Sequence, residues 1–251
     1  MFDFSIVSSW IHQMLTSVMP EGLAIFIECV VVGVCIVLMY AILAILLIYM
    51  ERKICGFFQC RLGPMRVGPY GTIQVICDVL KMLTKEIFTP KTVDKFLYNL
   101  APYMVLLASF LTFACLPMNK GMEVLDFNVG IFFVMAASSI GVVGILLAGW
   151  SSNSKYSLIG AMRSGAQIIS YELSAGLSIL TMVVLTGTMQ ISEIVGGQAD
   201  GWLIFKGHIP AIIAFIIYLI ASNAECNRGP FDLPEAESEL TAGYHTEYSG
   251  M

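Results

Sequence analysis

The sequence predicts an all-α integral membrane protein with about five transmembrane helices and one amphipathic helix in the first cytoplasmic loop. Three observations carry that prediction. Of 251 residues, 57% are hydrophobic and only 12% charged, about half the charged share of an ordinary soluble domain. Five apolar stretches come near the roughly 20 helical residues that cross a bilayer core. The cations, finally, are crowded into some of the intervening stretches and nearly missing from others. A net charge of -5, from 13 Lys and Arg against 18 Asp and Glu, leaves no concentrated basic face, so a nucleic-acid partner is not expected.

Taken in chain order, the start MFDFSIVSSW has no basic segment of the kind that opens a cleaved signal, so the first hydrophobic stretch is expected to stay and no soluble domain to precede it. Span one covers residues 23–50 and carries one charge, Glu28, near its outer end, where it is read as snorkelling to the interface. Spans two and three, 97–118 and 129–150, carry none. Span four, 166–189, carries only Glu172, and span five, 202–224, has Lys206 near its start and Pro210 just inside. The whole chain, 1–251, reads as a single membrane domain with loops at 51–96, 151–165 and 225–251.

The first loop holds Arg52, Lys53, Arg61, Arg66, Lys81, Lys85, Lys91 and Lys95. With Lys155, Arg163 and Arg228, eleven of the 13 cations fall on one side, against Lys120 and Lys206 on the other. The excess of cations on the cytoplasmic side places the N-terminus outside and these three loops inside. Within the first loop, Ile73, Ile76, Val79, Leu80, Leu83 and Ile87 recur at helical spacing between Asp78, Lys81, Lys85 and Glu86. That pattern is a helix lying on the membrane. Periodicity alone favours a plain anchor; the sharper reading is the wall of a cavity for an amphiphilic ligand.

Carboxylates inside hydrocarbon cost about 2.5 to 3.5 kcal/mol on insertion scales, so each needs a reason. Glu172 lies about two turns inside span four, with Ser170, Tyr171 and Ser174 as local hydroxyl partners. After span five, residues 225–251 hold Glu225, Asp232, Glu235, Glu237, Glu239 and Glu247 with Arg228 as the lone Lys or Arg. Asp232 and Glu235, with Pro234 between them, read as a capping box opening a helix on which Glu235 and Glu239 share a face. The bland reading is a solvated acidic loop. Gly229, Pro230, Phe231 and Pro234 make it stiffer and more apolar than such a loop. No metal site is expected from Cys29, Cys35, Cys55, Cys60, Cys77, Cys115 and Cys226, which form no CxxC, nor from His12, His208 and His245. The cysteines read as membrane or interface thiols. With no phosphate loop and no nucleophile motif, any chemistry is expected to be carried by partners.

Four motifs together carry a resemblance: Glu51-Arg52-Lys53 with Gln59-Cys60-Arg61-Leu62-Gly63-Pro64 and Arg66-Val67-Gly68-Pro69; Lys81-Met82-Leu83-Thr84-Lys85-Glu86; Ser152-Asn153-Ser154-Lys155-Tyr156-Ser157; and Ala224-Glu225-Cys226-Asn227-Arg228 running on to Glu247-Tyr248-Ser249-Gly250. From about Glu51 onward the chain closely resembles the H-subunit family of bacterial NADH:quinone oxidoreductase, respiratory complex I, whose mitochondrial counterpart is NADH dehydrogenase subunit 1. The resemblance implies a membrane-arm subunit of a proton-translocating enzyme, in the plasma membrane, with quinone as substrate and no redox cofactor of its own. FMN and iron-sulfur clusters would sit in partner subunits. Those partners would be the peripheral quinone-site and iron-sulfur subunits, small membrane subunits and antiporter-like subunits. Glu51, Arg52, Arg61, Asp78, Lys81, Arg228, Phe231 and Asp232 would line or support the quinone chamber. Glu172, Glu225, Glu235, Glu237, Glu239 and Glu247 would form a proton-coupling carboxylate chain. Members usually continue past the Glu-Tyr-Ser-Gly motif to eight helices, so a chain that stops at Met251 with five is expected to be shortened. A sister complex, fed by ferredoxin or F420 or carrying a hydrogenase, is the alternative.

Overall fold

A computed structural model describes residues 5–117, 125–199, 201–234 and 237–249. Among these residues the secondary structure is helical, with no strand. Among the described residues five helices are long and apolar enough to cross a membrane, and the chain is a multi-pass membrane protein. It divides into two compact units, one built on Thr89–Glu247 and the other on Ser9–Phe88 with the chain end from Tyr248.

The second of these units holds α1 (Ser5–Val18) from Ser9 onward and α2 (Glu21–Phe58), a single helix of 38 residues. At 1.5 Å per residue α2 is about 57 Å long, well beyond a ~30 Å hydrocarbon core. The helix therefore outruns the expected span 23–50 at its C-terminal end, carrying Glu51, Arg52 and Lys53 out of the apolar zone on a rigid rod. It closes with paired C-terminal hydrogen bonds, Arg61 N to Gly56 O at 2.9 Å and Cys60 N to Phe57 O at 3.1 Å. Cys60 takes a left-handed φ of 53° there. The chain then turns through Pro69–Gly71 into α3 (Gln74–Leu83). Gly71 is obligatory at that turn, since its φ is +80° and a Cβ would stand 2.1 Å from the Pro64 carbonyl oxygen. The amphipathic helix expected here is present but ends at Leu83, where Thr84 turns its hydroxyl back onto Leu80 O. Ile87 lies beyond it. Only Val75 of α3 is buried; Ile73, Ile76, Val79, Leu80 and Leu83 form the outward apolar set.

The other unit contains α4 (Lys95–Ala114), α5 (Gly130–Ser151), α6 (Lys155–Thr186), α7 (Ile191–Gly196), α8 (Leu203–Lys206), α9 (His208–Glu225) and α10 (Glu237–Leu240). Asp94 caps α4, accepting from Phe96 N at 3.2 Å and Leu97 N at 3.5 Å. The helices pack α4 on α5, α5 on α6 and α6 on α9. Small residues make that contact possible: Ala101, Ala108, Ala137, Ala148, Ala161, Ala175, Ala211, Ala214, Ala221 and Ala224 are all buried. In a bilayer, where lipid is as apolar as leucine, close backbone approach supplies the packing energy. Residues 151–165, expected as a loop, are mostly helix: α6 starts at Lys155, and only Ser152, Asn153 and Ser154 separate it from α5. At 32 residues α6 is about 48 Å long, more than a ~30 Å hydrocarbon core can hold.

Candidate functional site

In the unit of α2 and α3, an ion pair fixes the surface helix to the long one. Arg52 Nη1 donates to Asp78 Oδ2, and Gln74 Nε2 donates to Asp78 Oδ1 at 3.0 Å. The Arg52 guanidinium, followed by the Gln74 amide, holds the Asp78 carboxyl below the usual aspartate range, with the Lys81 charge adding to the effect. Beyond α2 the chain doubles back, so that Arg61, Leu62, Gly63 and Pro64 face Glu51, Arg52 and Cys55 across a cavity of about 530 Å³. Arg61 Nε donates to Gln59 Oε1 at 2.6 Å, which steadies the guanidinium at the rim. Four of the five first-loop residues expected at a site, Glu51, Arg52, Arg61 and Asp78, thus either line this cavity or hold a residue that does, and Lys81 is exposed on α3.

Glu28, read as snorkelling, has a side-chain partner. His12 Nδ1 lies 2.9 Å from Glu28 Oε1 and 3.2 Å from Oε2, so a neighbouring helix supplies the carboxylate with a partner.

In the α4–α9 unit, Glu172 is half-buried, and its partners differ from those expected. Ser138 Oγ donates to Glu172 Oε1 at 3.0 Å and Ser139 Oγ at 2.6 Å, both from α5. The neighbours in its own helix cannot reach it. Residues one or two apart on a helix point in different directions, and the hydroxyls of Ser170 and Ser174 instead bond back to Ala166 O and Ser170 O. Tyr171 packs edge-on against Phe231, with ring centroids 5.0 Å apart. Glu225, the last residue of α9, is within electrostatic reach of Glu172.

The stretch after α9 is a turn rather than the helix start expected at Asp232. Leu233 and Pro234 are in a turn, and helical backbone is described from Glu237 to Leu240. Glu235, on which the capping-box expectation falls, and the side chain of Glu237 lie outside the described residues. Glu239 accepts from Arg163 Nη1 at 2.6 Å, which ties α10 to α6. Glu247 contributes its backbone, whose carbonyl accepts from Tyr98 Oη at 2.7 Å. Arg228 and Asp232 are exposed, and Phe231 is half-buried.

Sequence reasoning missed Ser138, Ser139, Gln74, His12 and Gln167. The first two had a faint signal: adjacent hydroxyls in an otherwise apolar span. Gln167 had a stronger one, being an amide on the helix that carries Glu172.

A family model described as NADH dehydrogenase matches residues 30–251. The H subunit of the NADH-quinone oxidoreductase of Bacteroides thetaiotaomicron is 84% identical over 251 residues, covering 100% of this chain and 70% of that protein. That of Phocaeicola vulgatus is 78% identical over the same lengths. The NADH-quinone oxidoreductase subunit 8 of Rhodothermus marinus is 49% identical over 209 residues, 83% of this chain and 61% of that one. Five apolar helices, an ion-paired surface helix and an intramembrane glutamate thus occur in a chain that is similar along its whole length to H subunits of NADH-quinone oxidoreductases, and it belongs to the NADH dehydrogenase family.

Proposed function

We propose that this chain is the membrane-arm subunit of a proton-translocating NADH:quinone oxidoreductase, in the plasma membrane with its N-terminus outside and its first loop in the cytoplasm. It forms part of the quinone chamber and couples quinone reduction to proton movement through carboxylates. The observation that carries the reading is Glu172, an acid inside a membrane span, held by the hydroxyls of Ser138 and Ser139 from the next helix and in electrostatic reach of Glu225. Ionisable groups in such a place are rare and costly, and they characteristically mark proton or ion paths.

The first-loop cavity supports the quinone half of the reading. Its volume of about 530 Å³ falls within the roughly 300–1,000 Å³ of small-molecule sites. Leu62 and Pro64 offer apolar surface to a ring and tail, while Glu51, Arg52 and Arg61 offer charge to a headgroup whose reduction takes two electrons and two protons. Electrons arrive through FMN and iron-sulfur clusters of partner subunits. This chain's own residues bind, orient and respond to charge. Arg228, Phe231 and Asp232 hold the stretch that follows Glu225, and Glu235, Glu237, Glu239 and Glu247 extend the set of acids along it.

The test is Glu172→Gln in the chain assembled in its native membrane, with NADH-driven quinone reduction and vesicle acidification measured side by side. Acidification is expected to fall at least tenfold. Unchanged acidification and turnover would remove Glu172, and the coupling role with it.

A further inference from the structure

One face of α6 is built for the stretch that follows α9. Ser157, Gly160, Ser164, Gln167 and Tyr171 recur at alternating steps of three and four, which puts them in one line along the helix. Each of the four that contacts that stretch does so through a different chemistry. Ser157 Oγ reaches the carbonyls of Gly243 at 3.5 Å and Tyr244 at 3.3 Å. Gly160 lets the backbone at Gly243 and Tyr244 come so near that a Cβ would sit 2.8 Å from it. Tyr171 meets the Phe231 ring. Gln167, only 6% exposed, does the most: its Nε2 donates to Ala224 O at 3.0 Å and Phe231 O at 2.9 Å, and lies 3.4 Å from Asn227 Oδ1.

The three acceptors around Nε2 settle which way the amide points. Turned over, it would set an oxygen against two carbonyls and an amide oxygen. With the nitrogen so committed, Oε1 faces the interior, where it has no donor among the described residues; the same holds for the Ser164 hydroxyl one turn away. A buried acceptor without a donor is costly, so an apolar side chain of similar volume would be the cheaper way merely to fill this space. What an apolar side chain cannot do is donate to Ala224 O and Phe231 O together. Those two carbonyls bracket Glu225 and Arg228.

We propose that Gln167 is a positioning residue: its side-chain amide clamps residues 224–231 to α6 and so fixes where Glu225 stands relative to Glu172, five residues further along the same helix. This rests on the reading of Glu172 and Glu225 as coupling groups. The clamp acts through donation alone, which separates it from packing. Glutamate has nearly the shape of glutamine, yet its ionised carboxylate can only accept, and would face the carbonyls with negative charge. Once protonated it has one O–H to give.

The experiment uses Gln167→Glu, Gln167→Met and Glu172→Gln in the full chain in its native membrane. Hydrogen exchange of the 224–232 peptide is read by mass spectrometry, and NADH-driven acidification is read from pH 8 to pH 5.5. In Gln167→Met, exchange of the segment is expected to rise at least tenfold and acidification to fall severalfold at every pH. In Gln167→Glu, both defects are expected at pH 8 and to recede toward pH 5.5 within one preparation, which a purely steric role would not produce. Exchange unchanged in both variants overturns the clamp. Exchange that rises while acidification holds, in a chain where Glu172→Gln abolishes acidification, overturns the positioning role and leaves the proposed function standing. Should Glu172→Gln itself be silent, the proposed function fails, and the exchange data still decide the clamp.

Discussion

Cys60 closes α2 in a conformation that L-residues avoid. Its φ of 53° completes the paired bonds of Arg61 N and Cys60 N to the last turn, a position that glycine ordinarily fills. The left-handed conformation costs a residue with a Cβ about 1–2 kcal/mol. Glycine relieves that but gives back about 0.4–1 kcal/mol through the freer unfolded chain. Cys60→Gly should therefore stabilise the end of α2 by about 0.5–1 kcal/mol, slowing limited proteolysis between residues 59 and 66 by about two- to fivefold, since cleavage tracks the population of the open form. Equal or faster cleavage would show that the thiol makes up the difference by packing. At Glu172 the balance is of another kind. The serine pair that holds it comes from the neighbouring helix, which no local pattern announces: sequence spacing says which residues share a helix face, but not which residue of another helix stands opposite. That is why Glu172 was legible as an intramembrane acid while its partners were not. His12 and Glu28, 16 residues apart on successive helices, were hidden for the same reason.

At the level of elements, α3 shows what periodicity can and cannot give. Its apolar stripe predicted an amphipathic helix correctly, because every third or fourth residue is enough to define a face. Its C-terminal end was not legible: α3 stops at Leu83 although the apolar spacing runs on to Ile87, and periodicity carries no stop signal. Nor was the pin that holds it, Arg52 to Asp78, whose members stand 26 residues apart. That pin has a defined pH dependence. Asp78 gives up its proton more readily in the folded chain than in the unfolded one, so the pair adds stability at every pH above the ordinary aspartate range and loses it as pH falls through the lower folded value. Protease protection of residues 72–84 should accordingly persist through pH 5 and disappear only below the normal aspartate pKa. In Asp78→Asn, protection should already be weaker at pH 7 and should not change with pH over that interval. A wild-type loss of protection near pH 6 would assign the pin to some other titrating group. The helix lengths carry a related lesson. Hydropathy found the apolar cores of α2 and α6 but placed boundaries at the first charges, whereas both helices run on through charged residues: Glu51, Arg52 and Lys53 in one, Lys155 and Arg163 in the other.

For the molecule as a whole, the charge count and the helix lengths both bear on the proposed orientation. Eleven of 13 cations lie in the stretches 51–96, 151–165 and 225–251. The overhanging end of α2 carries Arg52 and Lys53, and that of α6 carries Lys155 and Arg163. A helix about 48 Å long cannot fit inside a ~30 Å core, and the opposite end of α6 is Leu180 to Thr186, apolar and closed by Gly187 in a left-handed cap. The overhang therefore belongs at the Lys155 end, and Arg163 pairs there with Glu239. Inverting the chain would move that whole cationic set to the outer face, against the bias that sets orientation during insertion. With single reporter cysteines at Ser9, Lys91 and Ser154 in a chain otherwise free of cysteine, a membrane-impermeant maleimide applied to intact cells should label Ser9→Cys alone. Lys91→Cys and Ser154→Cys should label only after the membrane is opened. Labelling of all three from outside would mean a leaky preparation, which an internal cytoplasmic control detects. Labelling of Lys91→Cys and Ser154→Cys but not Ser9→Cys would reverse the orientation.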